Sequence, residues 1–147
     1  MIVQMILGSV MIILTTVVQG VFMITAIEML RRRVTRKVTR SDFESTLLLS
    51  YFVLWLFVAT IIEVWAWAML YRLIGAVGST EEALYFSTTT FTTLGFGDIT
   101  LDDQWRLLSS FEGANGLLMF GWSTALIFAA VQKVYGYERR FSKDDSN

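Results

Sequence analysis

A short segment that contains two glycines, Thr92 to Asp98, carries the residues best suited to bind an ion. It reads Thr-Thr-Leu-Gly-Phe-Gly-Asp, with the glycines at positions 95 and 97. Because glycine adopts backbone conformations closed to other residues, this spacing allows successive carbonyl oxygens to point to one side. Carbonyls arranged in this way, with a threonine hydroxyl below them, replace the water shell of a small dehydrated cation. The segment therefore predicts cation coordination by oxygen atoms of the backbone.

Residues 93–98 resemble the selectivity filter of the pore-loop potassium channels, which reads Thr-Val-Gly-Tyr-Gly-Asp. Leu94 replaces the valine and Phe96 replaces the tyrosine, and both substitutions keep the size and apolar character of the side chain. The phenylalanine makes the filter similar to that of the two-pore-domain potassium channels. The chain as a whole resembles a bacterial two-transmembrane pore domain with an extra N-terminal helix. This resemblance implies a homotetramer in which four filter segments surround one potassium pathway.

The resemblance also implies a role for each residue of the filter. The potassium ligands would be the carbonyl oxygens of Thr93, Leu94, Gly95 and Phe96, together with the Thr93 hydroxyl. Gly97 would form the outer mouth. Potassium is the permeant ligand in this interpretation, and no cofactor is expected.

The residues behind the filter depart from the pattern of the family. In many members of the family, the aspartate equivalent to Asp98 bonds to a glutamate and a tryptophan of the pore helix, and Thr89 and Phe86 stand at those positions here. The aspartate–glutamate pair of the family is therefore absent, and the sequence does not identify a partner for Asp98. Thr92 would line the roof of the cavity below the filter. We expect the departure to affect filter stability rather than selectivity.

Long apolar segments must position the filter within a membrane. Of 147 residues, 54% are hydrophobic and 17% are charged, and the charges cluster between the apolar runs. This pattern is typical of integral membrane proteins. We predict an all-α membrane protein with three transmembrane helices, a re-entrant pore helix and a filter loop, assembled as a homotetramer. The predicted elements are an extra N-terminal helix at 1–30, a basic linker at 31–40, a pore domain at 41–134 and a tail at 135–147.

The predicted pore domain comprises an outer helix at 43–74, a pore helix at 80–91, the filter at 93–97 and an inner helix at 104–134. Ser79 and Glu82 form a capping-box pattern at the start of the pore helix. At roughly 12 residues this helix is too short to cross a bilayer, which favours a re-entrant position. Its C-terminal end carries about half a negative elementary charge. Four such ends would favour a cation in the middle of the membrane.

The distribution of charge predicts how the chain is oriented. Six basic residues lie between Arg31 and Arg40, and positive loops stay in the cytoplasm. The N-terminus is then outside and the C-terminus cytoplasmic, in a plasma membrane. Contact of this linker with anionic lipid headgroups is a secondary expectation. Nucleic-acid binding is not expected, because the linker is held between two spans.

Other features within the predicted spans have alternative interpretations. Glu63 could bond to the pore helix of its own or a neighbouring subunit, or could be protonated and serve only packing. Glu112 is a weaker case of the same kind. Gly116 and Gly121 could be hinges of the inner helix, or could serve close helix packing. The first helix lacks the regularly spaced basic residues of a voltage sensor, and we expect it on the outside of the second helix.

The sequence favours a passive, potassium-selective ion channel. A weakly selective monovalent cation channel is the main alternative, and a non-conducting accessory subunit is a further one. A potassium transporter built from pore-loop repeats needs four such motifs, and the sequence has one. An enzyme is not expected, because no catalytic constellation is visible and the chain has no His and no Cys.

Overall fold

A computed structural model describes the backbone of residues 1–36 and 42–144, and the side chains of residues 1–32 and 43–135. The described residues form four helices: α1 (Ile2–Arg36), α2 (Asp42–Leu73), α3 (Thr80–Phe91) and α4 (Arg106–Asp144). Three of the described helices are long and apolar enough to cross a membrane, over Ile2–Arg32, Phe43–Leu73 and Arg106–Tyr135. The predicted all-helical membrane architecture is confirmed.

Two helices extend beyond their predicted ends. α1 continues past residue 30 to Arg36, and α4 begins at Arg106 and continues past residue 134 to Asp144. The sequence contains no proline that would interrupt either helix. Residues 37–41 and 145–147 lie outside the described residues, and so do the side chains of residues 33–40 in the linker for which lipid contact is predicted.

α1 packs against both α2 and α4. The sequence predicts the contact with α2 but not the contact with α4. Gly8 allows a close approach, since a Cβ atom there would lie 2.8 Å from the ring of Phe111. Farther along the helix, Ala26 packs with Phe52 and Val134 in an apolar cluster. α1 therefore lies beside the outer and the inner helix together.

Within the described part of the chain, side-chain hydrogen bonds join α1 to α4 at three levels. Leu107 N–H donates to Gln4 Oε1 at 3.0 Å, Asn115 Nδ2 donates to Thr15 Oγ1 at 2.8 Å, and Gln19 Nε2 donates to Ser123 Oγ at 2.6 Å. The first satisfies one of the N–H groups that have no partner within α4. Thr15, Gln19 and Asn115 are fully buried. Polar contacts thus attach the first helix to the inner helix along much of their length.

The main apolar core lies where α2, α3 and α4 meet. Trp67, Tyr71, Phe91 and Leu108 are fully buried there, and the Tyr71 ring packs edge-on against Phe86 with centroids 5.2 Å apart. A helix of 12 residues is marginal by itself in water. Packing against this core therefore positions α3, the element that precedes the filter.

Candidate ion-coordination site

α3 has the bounds that the sequence predicts for the pore helix, Thr80–Phe91. The predicted capping box is present: Glu82 N–H donates to Ser79 Oγ, and Ser79 N–H donates to Glu82 Oε2, both at 3.1 Å. Arg72, at the end of α2, donates to the carbonyl of Val77 at 2.8 Å. The loop that leads into α3 is thus held at both ends.

The C-terminal end of α3 rests directly on α4. A Cβ atom at Gly116 would overlap the carbonyl oxygen of Phe91, so this position requires a residue without a side chain. This contact agrees with the packing interpretation of Gly116. At Gly121 a Cβ atom would meet nothing within 4 Å, so packing does not explain that glycine. A hinge role of either residue stays a prediction.

The backbone after α3 alternates in handedness from residue to residue. Thr93, Gly95 and Gly97 have φ angles of 59°, 53° and 79°, and the residues between them have negative φ. Alternation of this kind turns successive peptide groups to the same side. Thr93 N–H donates to the carbonyl of Thr90 at 2.9 Å, and Gly95 N–H donates to that of Thr89 at 3.1 Å. The base of the filter is therefore anchored to the last turn of α3.

Thr93 has a conformation that is rare for a β-branched residue. The sequence predicts unusual angles at the two glycines but not here. A conformation of this kind costs about 1–3 kcal/mol and occurs mainly at ligand sites. The hydrogen bond from Thr93 N–H to the carbonyl of Thr90 holds the residue against the end of α3.

Alternate residues of the filter have different surroundings. Thr93, Gly95 and Gly97 border the cleft between α3 and the start of α4. The side chains of Leu94 and Phe96 are 59% and 66% exposed on the single subunit. Leu94 and Phe96 therefore present apolar side chains on the surface of the single subunit.

Asp98 is held by Tyr85, a residue that the sequence interpretation missed. The Tyr85 hydroxyl donates to Asp98 Oδ2 at 2.8 Å, and this bond raises the pKa of Tyr85. Tyr85 lies one helical turn before Thr89, on the same face of α3. The sequence could have indicated this bond, because Tyr85 is a long side chain with a hydroxyl donor and lies one turn before Thr89. Position 89 is where the family carries the partner of its filter aspartate.

The other predicted support residues act within α3. Thr89 Oγ1 donates to the carbonyl of Phe86 at 3.0 Å, and Thr92 Oγ1 donates to that of Thr88 at 2.7 Å. Thr89 supports the filter through its own carbonyl, which accepts from Gly95. Phe86 contributes apolar packing. The structure therefore does not place Thr89 or Phe86 in the role that their counterparts have in the family.

Glu112 of α4 connects three helices behind the filter. Its Oε2 accepts from the Tyr71 hydroxyl of α2 at 2.7 Å, and its Oε1 lies 2.5 Å from Ser87 Oγ of α3. The side chains of all three residues are fully buried. The sequence interpretation treats this carboxyl group, near the outer start of its span, as a weaker case than Glu63, and no spacing along the chain shows that its partners lie nearby.

Glu63 is fully buried, and neither of its carboxyl oxygens has a hydrogen-bond partner among the described residues. The bond to the pore helix of its own subunit is therefore not formed. Trp67 Nε1, one turn later in α2, is also unpaired within the described part of the chain. An isolated buried charge costs far more than a neutral carboxyl group, which favours the protonated packing interpretation.

Comparison with known proteins identifies the architecture. The chain matches a protein family described as "Ion channel" over residues 50–133, which run from α2 through α3 and the filter into α4. No curated protein and no solved structure matches the chain. The family match covers more than half of the sequence and includes every element of the site. The chain therefore belongs to the pore-loop ion channel family, as a multi-pass membrane protein that conducts ions passively.

Proposed function

We propose that four copies of this chain form a potassium-selective channel. The observation that carries the proposal is the positive φ at every second residue from Thr93 to Gly97, directly after a capped helix. One such segment offers carbonyls from one side, and four around an axis complete a coordination shell. The ligands are the carbonyls of residues 93–96 and the Thr93 hydroxyl, and Gly97 forms the outer mouth.

The end of α3 supports cation selectivity. Its C-terminus directs partial negative charge toward the start of the filter, where Thr92 and Thr93 add hydroxyl groups. Four such ends favour a cation at the inner entrance without binding it so tightly that it cannot leave. This arrangement needs no charged side chain in the pathway.

The exposed apolar surface supports assembly into a tetramer. Leu94 and Phe96 project from the filter, and on α4 Leu117, Leu118 and Phe128 are 61%, 62% and 63% exposed. In the proposed tetramer, neighbouring subunits cover Leu94 and Phe96, while part of the α4 surface faces the pore and its neighbours. The chain lies in the plasma membrane with its C-terminus in the cytoplasm, where the basic linker approaches anionic headgroups.

Reconstitution into liposomes tests this proposal. We expect potassium flux well above sodium flux under equal gradients. Equal fluxes would support the weakly selective alternative. Because a closed gate also abolishes flux, thermal unfolding in potassium and in sodium is measured on the same protein. Stabilisation by potassium alone supports the filter, whereas neither flux nor stabilisation would support the accessory subunit.

Gly95→Ala tests the filter assignment itself. At φ 53° an alanine costs about 1–2 kcal/mol in each subunit, so we expect loss of potassium preference. Gly75→Ala is the matched control, because Gly75 has φ 67° and open space around it but lies outside the filter. Unchanged selectivity in Gly95→Ala would contradict the assignment.

A further inference from the structure

The contacts around Glu112 form a short chain of oxygen atoms. Tyr71 OH lies 2.7 Å from Glu112 Oε2, and Ser87 Oγ lies 2.5 Å from Glu112 Oε1. Ser87 Oγ also lies 2.8 Å from the main-chain carbonyl oxygen of Val64 in α2. The three side chains are fully buried, so bulk water does not compete for these atoms.

Three contacts of this length require three hydrogen atoms. The hydroxyl groups of Tyr71 and Ser87 supply one each, whereas a backbone carbonyl and an ionised carboxylate only accept. If Glu112 were ionised, the single hydrogen of Ser87 would have to serve two acceptors. If Glu112 is protonated at Oε1, it donates to Ser87, and Ser87 donates to Val64. Only the protonated form gives each contact its own hydrogen.

We infer that Glu112 carries a proton and that the neutral side chain is a positioning residue for α3. The inference rests on the proposed function, in which α3 is the pore helix. The proton completes a path of hydrogen bonds from α4 through α3 to α2. Ser87 is buried in the middle of α3, less than two turns before the filter begins at Thr93.

Loss of this proton changes what holds α3. The ionised carboxylate takes the Ser87 hydrogen, and the Val64 carbonyl then loses its donor from α3. A negative charge also remains in an apolar core, where it is costly. Because the filter follows α3 directly, its conducting geometry depends on the protonation of Glu112.

The other titratable groups of the surrounding helices differ in position and exposure. On α2, Tyr71 contacts Glu112, and buried Glu63 lies two turns away along the helix. The remaining described titratable side chains of α1, α3 and α4 are all exposed: Glu28, Arg31, Arg32, Glu81, Glu82, Tyr85, Arg106, Lys133 and Tyr135.

Glu112→Gln is the decisive substitution. The amide group of glutamine donates to Ser87 while its carbonyl accepts from Tyr71, so it reproduces the protonated carboxyl and cannot be ionised. We expect Glu112→Gln to carry wild-type potassium current at neutral pH, and to lack the loss of current that we expect of the wild type as the pH rises far enough to ionise Glu112. Glu112→Ala should lose current at every pH. Loss of current in Glu112→Gln at neutral pH would overturn the inference.

Infrared spectroscopy tests the proton without any requirement for conduction. Purified Glu63→Gln protein should show the absorption of a buried protonated carboxyl group, and Glu63→Gln/Glu112→Gln should lack it. The shared Glu63→Gln background removes the other buried carboxyl from the comparison. If the band is absent at neutral pH, the inference fails whether or not the channel conducts. If the band is present but potassium does not pass, only the proposed function fails.

Discussion

At the scale of single residues, Thr93 combines backbone strain with a side chain suited to ion binding. Its φ of 59° is one that a glycine would adopt without cost. The chain keeps a threonine there, and in the proposed filter its hydroxyl is the innermost ligand. A strained residue at such a position lowers the stability of the protein but places a ligand where the ion needs it.

Thr93→Gly should separate these two contributions. Relief of strain should raise the free energy of unfolding by about 1–2 kcal/mol. The greater flexibility of glycine in the unfolded chain should lower it by about 0.5–1 kcal/mol. We expect thermal stability equal to or above that of the wild type, together with altered potassium flux. Thr93→Ala is the control that removes the hydroxyl but keeps the strain. Equal destabilisation of the two variants would contradict a strained Thr93.

Tyr85→Phe should weaken the outer end of the filter. The substitution removes the hydroxyl that holds Asp98 and leaves the ring in place, so we expect potassium current that decays faster during sustained flow. Tyr51→Phe, on the exposed face of α2, is the matched control. Current recordings in reconstituted bilayers measure the decay, and identical decay in the two variants would show that this bond does not support the filter.

The same bond predicts a pH dependence. Its hydrogen bond to Asp98 raises the pKa of Tyr85 above the ordinary value of 10.0. Stabilisation by this bond is therefore present below pH 10 and is lost as pH rises through the raised pKa. We measure this in a Glu112→Gln background, which cannot lose current through ionisation of Glu112, and expect the decay of its current to accelerate in that alkaline range. In Tyr85→Phe/Glu112→Gln the decay should not change there, and a change as large as that of Glu112→Gln would contradict the assignment.

At the scale of elements, α4 positions α3 through a backbone contact. Gly116→Ala places a methyl group against the carbonyl of Phe91, and overpacking of this kind costs about 1–3 kcal/mol. We expect a lower unfolding temperature and reduced potassium flux. Gly121→Ala, with open space at its Cβ, should keep or raise the unfolding temperature, because alanine favours a helix over glycine. Equal unfolding temperatures of Gly116→Ala and Gly121→Ala would show that α4 shifts at Phe91 far enough to accommodate the added methyl group.

The attachment of α1 to α4 can be tested at a single hydroxyl group. Thr15→Val keeps the shape of the side chain but leaves Asn115 Nδ2 without its acceptor, which should cost about 0.6–1.7 kcal/mol in a membrane protein. Thr16→Val, the next residue along α1, serves as control. Thermal unfolding in detergent measures both variants. If they unfold alike, the polar contact contributes nothing to the packing of α1.

Local features of the fold could be predicted from the sequence, and contacts between helices could not. Ser79 and Glu82 define the start of α3 because both partners lie within one turn of the chain. Thr93 acquires its strain from contacts with α3, and Asp98 reaches a tyrosine thirteen residues earlier. Such pairings depend on how the filter folds back on α3, and the α1–α4 contacts depend on how helices pack in space; periodicity and composition specify neither.

At the scale of the whole molecule, the absence of cysteine makes the orientation directly measurable. Single cysteines at Glu81 and Tyr135 lie at opposite ends of the proposed pore domain. We expect a membrane-impermeant maleimide to label Glu81→Cys on intact cells, and Tyr135→Cys only after permeabilisation. The reverse pattern would contradict the proposed orientation and would place the basic linker outside.

The uninterrupted length of α4 gives the molecule a lever. Its 39 residues extend about 58 Å, roughly twice the hydrocarbon thickness. From the contact at Gly116, the arm to Asp144 is about 42 Å and the arm to Glu112 about 6 Å. If the helix pivots there as a rigid rod, a swing of about 3 Å at Asp144 becomes about 0.4 Å at Glu112. A hydrogen bond tolerates that displacement, so the C-terminal end of α4 can move by this amount while Glu112 stays bonded to the pore helix.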